Sequence, residues 1–346
     1  MSILYTLIIL SIIITIHEIG HLVSAKFFKV YCKEFSLGMG PKLWGFKGKE
    51  TTYNLRMFPF GGFVAMAGEE SVEADVPVER TLLGIAKYKR MIIMLSGIFM
   101  NFVLAFILFV GINWSLGYVI ESPKAIVAGI VENSPAEAAG LQMNDKILKL
   151  TFTDGTSVVP KNFDDVITYT QLYHNEIKFT LLRDSQEIEI SVTPIYMAET
   201  ERYFLGVMLP PAEKVNISPL EGIGYAFSTM IGTIYSMFLL IGRLLTGVGL
   251  QSVSGPLGII EITQAQASYG LLNLIYLTAI LSLNVGVFNL LPLPILDGGR
   301  VFIIGIEMII RKPLNKRVEY GLMYFSAALL IMLMVLATWQ DLSKLF

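Results

Sequence analysis

Residues 3–28 read ILYTLIILSIIITIHEIGHLVSAKFF, an apolar run interrupted by His17, Glu18 and His21. About 20 apolar residues in a helix rising 1.5 Å each cross the roughly 30 Å hydrocarbon core of a bilayer. The run has no basic leader and is longer than the apolar core of a cleaved secretory signal, so it is expected to be a retained transmembrane helix. A charged side chain at mid-bilayer costs at least about 2.5–3.5 kcal/mol, and three titratable residues within five positions require a compensating partner. Positions i and i+4 share one helix face. Two imidazoles at that spacing can hold one zinc ion, with the intervening glutamate as general base on a water.

The composition agrees with a membrane protein. Apolar residues make up 54% of the 346 and charged residues 16%, against about a quarter charged in soluble domains. The mean hydropathy is +0.62. A net charge of −2 gives no sign of a nucleic-acid partner. One cysteine, Cys32, excludes an internal disulfide and a cysteine-rich metal site. The third histidine, His174, follows a helical run in a polar segment and reads as a surface residue.

Further spans are expected at Met91–Leu116, Leu272–Pro294 and Leu322–Trp339, giving about four transmembrane helices. The loop after the first span carries ten lysines and arginines between Lys29 and Arg90. The loop before the last carries Arg300, Arg311, Lys312, Lys316 and Arg317, whereas the C-terminal tail has Lys344 alone. The positive-inside rule places both basic loops in the cytoplasm and both termini outside. Ile223–Leu245 is also apolar, but a single extra crossing there would break the parity. It is expected to lie in the interface or to re-enter, with Gly222, Gly224, Gly247 and Gly249 at its flanks.

The polar stretch between spans two and three reads as a small α+β domain. A strand is expected over Ala125–Val131. Ser134-Pro135 starts a short helix that Gly140 ends. Lys146–Phe152 alternates as a strand, Phe163–His174 has helical spacing, and Ile177–Arg183 with Ile188–Pro194 forms a hairpin turning at Asp184-Ser185. The run from Ser134 through Leu141 and Asn144–Ile147 resembles a PDZ domain of the circularly permuted bacterial type. The expected organisation is an N-terminal membrane core over 1–117, the PDZ-like domain over 118–214, a connecting segment over 215–270 and a C-terminal membrane core over 271–346.

A zinc hydrolase needs a third protein ligand and an open position. The candidate is Asp297, in Asn289-Leu290-Leu291-Pro292-Leu293-Pro294-Ile295-Leu296-Asp297-Gly298-Gly299. The charge-derived topology puts it at the depth of His17 and His21. HEIGH together with NLLPLPILDGG resembles the site-2 protease family of intramembrane metalloproteases, with the bacterial regulator-of-sigma-E protease branch nearest. The resemblance covers most of the chain. It implies one zinc per chain on His17, His21 and Asp297, Glu18 as base, and Asn289 holding substrate backbone or the developing oxyanion. Gly97 and Asn101 match the family's glycine-to-asparagine spacing, though Ile98 stands where proline is usual, and Asn101 is carried over as substrate-binding. The family implies single-span membrane substrates, pre-cleaved by another protease, such as anti-sigma factors or signal-peptide remnants. It also implies a bacterial inner-membrane location with the PDZ-like domain outside. The aromatic loop Tyr53–Val64, with Phe60, Gly61 and Gly62 at its centre, is expected to be a membrane-associated hairpin whose edge pairs with extended substrate. The competing readings are a catalytically silent scaffold acting through the PDZ-like domain, and a zinc transporter or sensor.

Overall fold

The computed structural model describes residues 1–69, 75–198, 202–245 and 255–343. The chain divides into two compact units. One comprises Met1–Ser115, Ile223–Gly242 and Leu250–Phe346; the other comprises Leu116–Gly222 and Arg243–Gly249.

The first unit opens with helix α1, Ser2–Phe27. It ends where Lys29 turns the chain at φ 63°. Two long strands follow, β1 (Cys32–Lys47) and β2 (Thr52–Met66). They pair more than once: residues 34–37 run antiparallel to 62–65 and in parallel register with 52–55, and 44–47 run antiparallel to 52–55. Phe35 lies opposite both Tyr53 and Val64, and Ser36 opposite both Asn54 and Phe63, while Phe46 also faces Tyr53. The rungs therefore run 44–47, 52–55, 34–37, 62–66, which makes residues 62–66 an edge. Helix α2, Lys87–Leu116, comes next. A core of Leu22, Ala25, Val30, Cys32, Phe35, Val64, Met66, Leu82, Ile93 and Met94 seals α1, the sheet and the start of α2 together.

The second unit contains β3 (Tyr118–Glu121), β4 (Gly129–Ile130), α3 (Pro135–Ala138), β5 (Lys146–Phe152), β6 (Ser157–Val158) and α4 (Phe163–Leu172). The strands β7 (Ile177–Arg183), β8 (Gln186–Val192), β9 (Ile195–Met197), β10 (Arg202–Phe204), β11 (Val207–Met208) and β12 (Glu213–Asn216) complete it. Its main sheet has the order β6-β5-β7-β8. Local chemistry explains several elements. Ser134 Oγ accepts from the Glu137 N–H, and Glu137 Oε2 accepts from the Asn133 N–H; this reciprocal cap starts α3. Asp184 and Ser185 both take positive φ, as a two-residue hairpin turn of matching twist requires. The strand expected over Ala125–Val131 is reduced to a bridge at Ile126 and the short β4.

The chain then forms α5 (Pro219–Leu245), α6 (Pro256–Ser268), α7 (Leu271–Asn289), α8 (Asp297–Ile310) and α9 (Lys316–Ser343). Among the described residues, five helices are long and apolar enough to cross a membrane: α1, α2, α5 over Pro219–Gly242, α7 and α9. That is one more than the expected four. The extra one is α5, which runs unbroken through Gly224 and Gly232 rather than folding back on itself; Gly247 and Gly249 lie outside the described residues. Contacts fix the helix directions within the first unit. Ile9 and Ile13 of α1 pack on Leu277 of α7, with Leu104 of α2 beside them. Towards its other end α1 meets residues 93–101 of α2 through His21 and His17. Hence α1 and α7 run the same way and α2 runs against them.

Inside the second unit, Arg183 grips the fully buried Asp145 with two bonds of 2.7 Å, and the Gln142 N–H adds a third at 2.8 Å. Burial alone would raise the Asp145 carboxyl, but Arg183 and that N–H hold it below the usual carboxylate range. A lowered folded pKa means the contribution is complete above about pH 4 and is lost as pH falls through the folded value. We expect Arg183→Met, which strands a buried charge, to cost about 3 kcal/mol. The measurement is hydrogen exchange over residues 146–192 of the full chain, with the loss largest at neutral pH and shrinking under acid. Unchanged exchange would contradict the assignment.

Candidate metal centre

Helix α1 carries His17 and His21 on successive turns, with Glu18 next to His17, and α8 begins at Asp297. The non-helical segment 290–296, a run of turns closed by bonds such as Leu296 N–H to the Leu293 carbonyl, brings Asp297 against α1. That segment packs tightly: a Cβ on Gly298 would lie 2.3 Å from the Leu290 carbonyl oxygen, and one on Gly299 would lie 2.1 Å from the Leu293 carbonyl. The two glycines are therefore obligatory for the approach.

His17 Nε2 and His21 Nε2 are 3.1 Å apart, and they lie 3.0 and 3.2 Å from Asp297 Oδ2. His17 and His21 are buried and Asp297 is half-buried. His21 Nδ1 donates to the Ile93 carbonyl at 2.8 Å, so its neutral Nε2 presents a lone pair. His17 Nδ1 lies 3.2 Å from the side-chain amide of Asn101. That amide has two orientations. Turned so that its oxygen accepts from His17 Nδ1–H, the buried Asn101 oxygen gains the partner it otherwise lacks, and His17 Nε2 also becomes a lone pair. Three acceptor atoms then face one another at about 3 Å. Ligands about 2.0–2.2 Å from a tetrahedral zinc ion stand roughly 3.3 Å apart. The donor set fits a zinc ion, with both imidazoles oriented by partners on α2.

The two helices meet through glycine. A Cβ on Gly20 would lie 2.4 Å from the Ser96 carbonyl oxygen, and one on Gly97 would lie 2.5 Å from His21 Nε2 and 2.8 Å from His17 Cε1. Ser24 and Ser96 hydroxyls bond across the same crossing at 2.7 Å. Gly97, noted in sequence only for its spacing, is thus the position that makes room for both imidazoles.

The three donor groups open into a cavity of about 590 Å³, which Glu18 and Asn289 also line. Residues 63–66 of the edge strand form one wall, and Lys33, Glu69 and Arg300 lie at its rim. Gly62 sits against Glu18: a Cβ there would be 3.3 Å from Glu18 Cγ. Gly61 takes φ +86° beside the Met39 side chain, and the side chain of Phe60 lies outside the described residues. Asn101 differs from its sequence assignment. It is fully buried, is not part of the cavity lining, and touches His17 instead of open space. His174 lies in the other unit, stacked on Tyr203.

Comparison with known proteins adds to this geometry. The model of "Peptidase family M50" matches residues 5–333. A Clostridium perfringens protein named as a zinc metalloprotease is 37% identical over 344 residues, covering 99% of this chain and 98% of that protein. A Fusobacterium nucleatum protein named in the same way is 33% identical over 352 residues, with 100% of both covered. The zinc metalloprotease RasP of Shouchella clausii is 30% identical over 420 positions, covering 98% of each.

We expect Gly97→Ala to reduce zinc in the purified protein at least about tenfold, as loss of ligand orientation does. Elemental analysis of the detergent-solubilised protein reads this directly. Full zinc occupancy in the variant would show that the imidazoles do not depend on that gap.

Proposed function

The chain belongs to peptidase family M50, the site-2 proteases, and is a multi-pass membrane zinc metalloprotease; from this we propose that it cleaves single-span membrane proteins inside the bilayer. The proposed roles are His17, His21 and Asp297 as zinc ligands and Glu18 as general base. The observation that carries the reading is the meeting of the three ligand atoms beside Glu18 in a cavity walled by a strand that, among the described residues, is paired on one side only.

Zinc held there supplies Lewis-acid polarisation of a carbonyl and lowers the pKa of water towards neutrality. Glu18 takes the proton of the attacking water as the new C–O bond forms, and returns it to the amide nitrogen as the C–N bond breaks. Asn289, at the end of α7 and lining the cavity, would hold substrate backbone or the carbonyl oxygen as charge develops. Asn101 acts on His17 and not on substrate. A transmembrane substrate hides its carbonyls in helical hydrogen bonds. Unwound, it can pair with residues 62–66 by strand addition, and glycine at 62 lets Glu18 stay close.

The basic loops put the catalytic end on the cytoplasmic side and the second unit outside. Helix directions support four net crossings. Glu307 of α8 accepts from Lys87 at the start of α2 and from the Leu314 N–H just before α9, so α9 starts on the basic side. At its other end Asp341 accepts from the Gly255 and Gly258 N–H groups that begin α6. Thus α6 starts on the side where α2 finishes, and the chain makes no net crossing between the start of α5 and Gly255. Cysteine labels at Leu220 and Pro256, both exposed, should react from the extracytoplasmic side. Reaction of position 256 from the cytoplasm alone would overturn this topology.

For the second unit we adopt the PDZ-like reading, supported by a groove of about 120 Å³ between α4 and residues 203–209. The side chain of Gln171 bonds both the carbonyl and the N–H of Tyr203. A peptide strand would have to displace it. That favours a size filter, admitting substrates already trimmed by another protease, over capture of free C-termini. Anti-sigma factors and signal-peptide remnants fit that description.

The decisive variant is Glu18→Gln. In purified protein with a single-span substrate, we expect full zinc occupancy and a fall in kcat of at least about 10³-fold. Gly61→Val is expected to slow cleavage with zinc unchanged, because β-branched residues resist its positive φ. A wild-type protein that binds zinc yet cleaves nothing would favour the scaffold reading.

A further inference from the structure

The cavity holds an ion pair that the proposed chemistry does not use. Arg300 Nη1 donates to Glu69 Oε1 at 2.5 Å, and both residues line the rim. They come from different parts of the chain. Glu69 lies three residues beyond the end of β2, and three residues of chain reach at most about 10 Å. Its placement therefore limits where the edge strand can lie. Arg300 is three residues after Asp297 in the first turn of α8, so it shares a face with that carboxylate. Its neighbour Val301 packs on the core shared by α1, the sheet and α2. The far end of α8 is fixed separately, through Glu307 and Lys87.

We propose that the Glu69–Arg300 pair is a positioning clamp that sets the spacing between the substrate-holding strand edge and the helix turn bearing Asp297. The inference rests on the proposed strand addition at residues 62–66. Neither side chain is catalytic; each acts by fixing another element. The pair is partly exposed, at 38% for Arg300 and 27% for Glu69, so it adds little to overall stability. Its value lies in geometry, since a misplacement of about 1 Å costs roughly a hundredfold in rate.

The clamp has a kinetic signature. In the full-length enzyme, Arg300→Met and Glu69→Gln should each lower kcat by about 10- to 100-fold. KM should stay within about threefold and zinc occupancy should be unchanged, because binding along the edge and metal ligation both persist. The exchanged pair Glu69→Arg with Arg300→Glu should recover at least about tenfold over either single reversal. A raised KM at constant kcat would mean that the side chains touch substrate instead, and overturns the clamp; so would unchanged kinetics or the absence of rescue.

A second measurement does not depend on catalysis. Spin labels at Met57 on β2 and Phe302 beside Arg300 on α8, both exposed, should give a narrow distance distribution in the wild type. It should broaden in each single variant and narrow again in the exchanged pair. A distribution that stays narrow in the single variants overturns the clamp. If the distances behave as expected while the wild type fails to cleave, the clamp stands and the proteolytic reading fails.

Discussion

Three acceptor atoms, two imidazole nitrogens and a carboxylate oxygen, converge to about 3 Å of one another among apolar helices. Without a cation this arrangement is repulsive, and among buried side chains there is little water to relieve it. Much of the first unit can be understood as the means of holding that triangle. The glycines at 20 and 97 bring α1 onto α2. The glycines at 298 and 299 bring the start of α8 onto the segment after α7. The α2 carbonyl of Ile93 and the amide of Asn101 hold the two imidazoles from behind.

The same construction explains how a hydrolytic site can exist within a bundle of apolar helices. The open face of the triangle gives onto a cavity, and the wall of that cavity is a strand whose outer edge is not paired to β1. Helical protein cannot offer a scissile carbonyl without losing hydrogen bonds. In the proposed reading an edge strand beside the three ligand atoms would restore some of them at the point where they are lost. Holding that edge at a set distance from Asp297 would then be a requirement in its own right, which the proposed clamp of Glu69 and Arg300 would meet.

The parts legible in the sequence were those encoded locally. The i, i+4 spacing of His17 and His21, the length of the first apolar run, the Ser134 cap and the Asp184-Ser185 turn each depend on residues within a few positions. Asp297 was found from its break in an apolar pattern together with charge-derived topology. What escaped depends on pairing across long separations. The doubled register of β1 and β2 joins residues whose strand character is ordinary, so Tyr53–Val64 read as a simple hairpin. Asn101 looked like a substrate ligand because its partner, His17, is 84 positions away. Glu69 and Arg300 are unremarkable charges until the fold brings them together. The apolar stretch in α5 has enough hydrophobicity to span, and its composition alone does not say on which side α6 begins; the contact of Asp341 with Gly255 and Gly258 does.

The most direct test is zinc X-ray absorption on the purified full-length protein. The account predicts one zinc per chain with two imidazole nitrogens near 2.0–2.1 Å and the remaining positions filled by oxygen near 2.0–2.2 Å. Replacing Asp297 with alanine should change the oxygen shell and leave the imidazole signal. A shell without two imidazoles, or one that Asp297→Ala leaves unaltered, would contradict it.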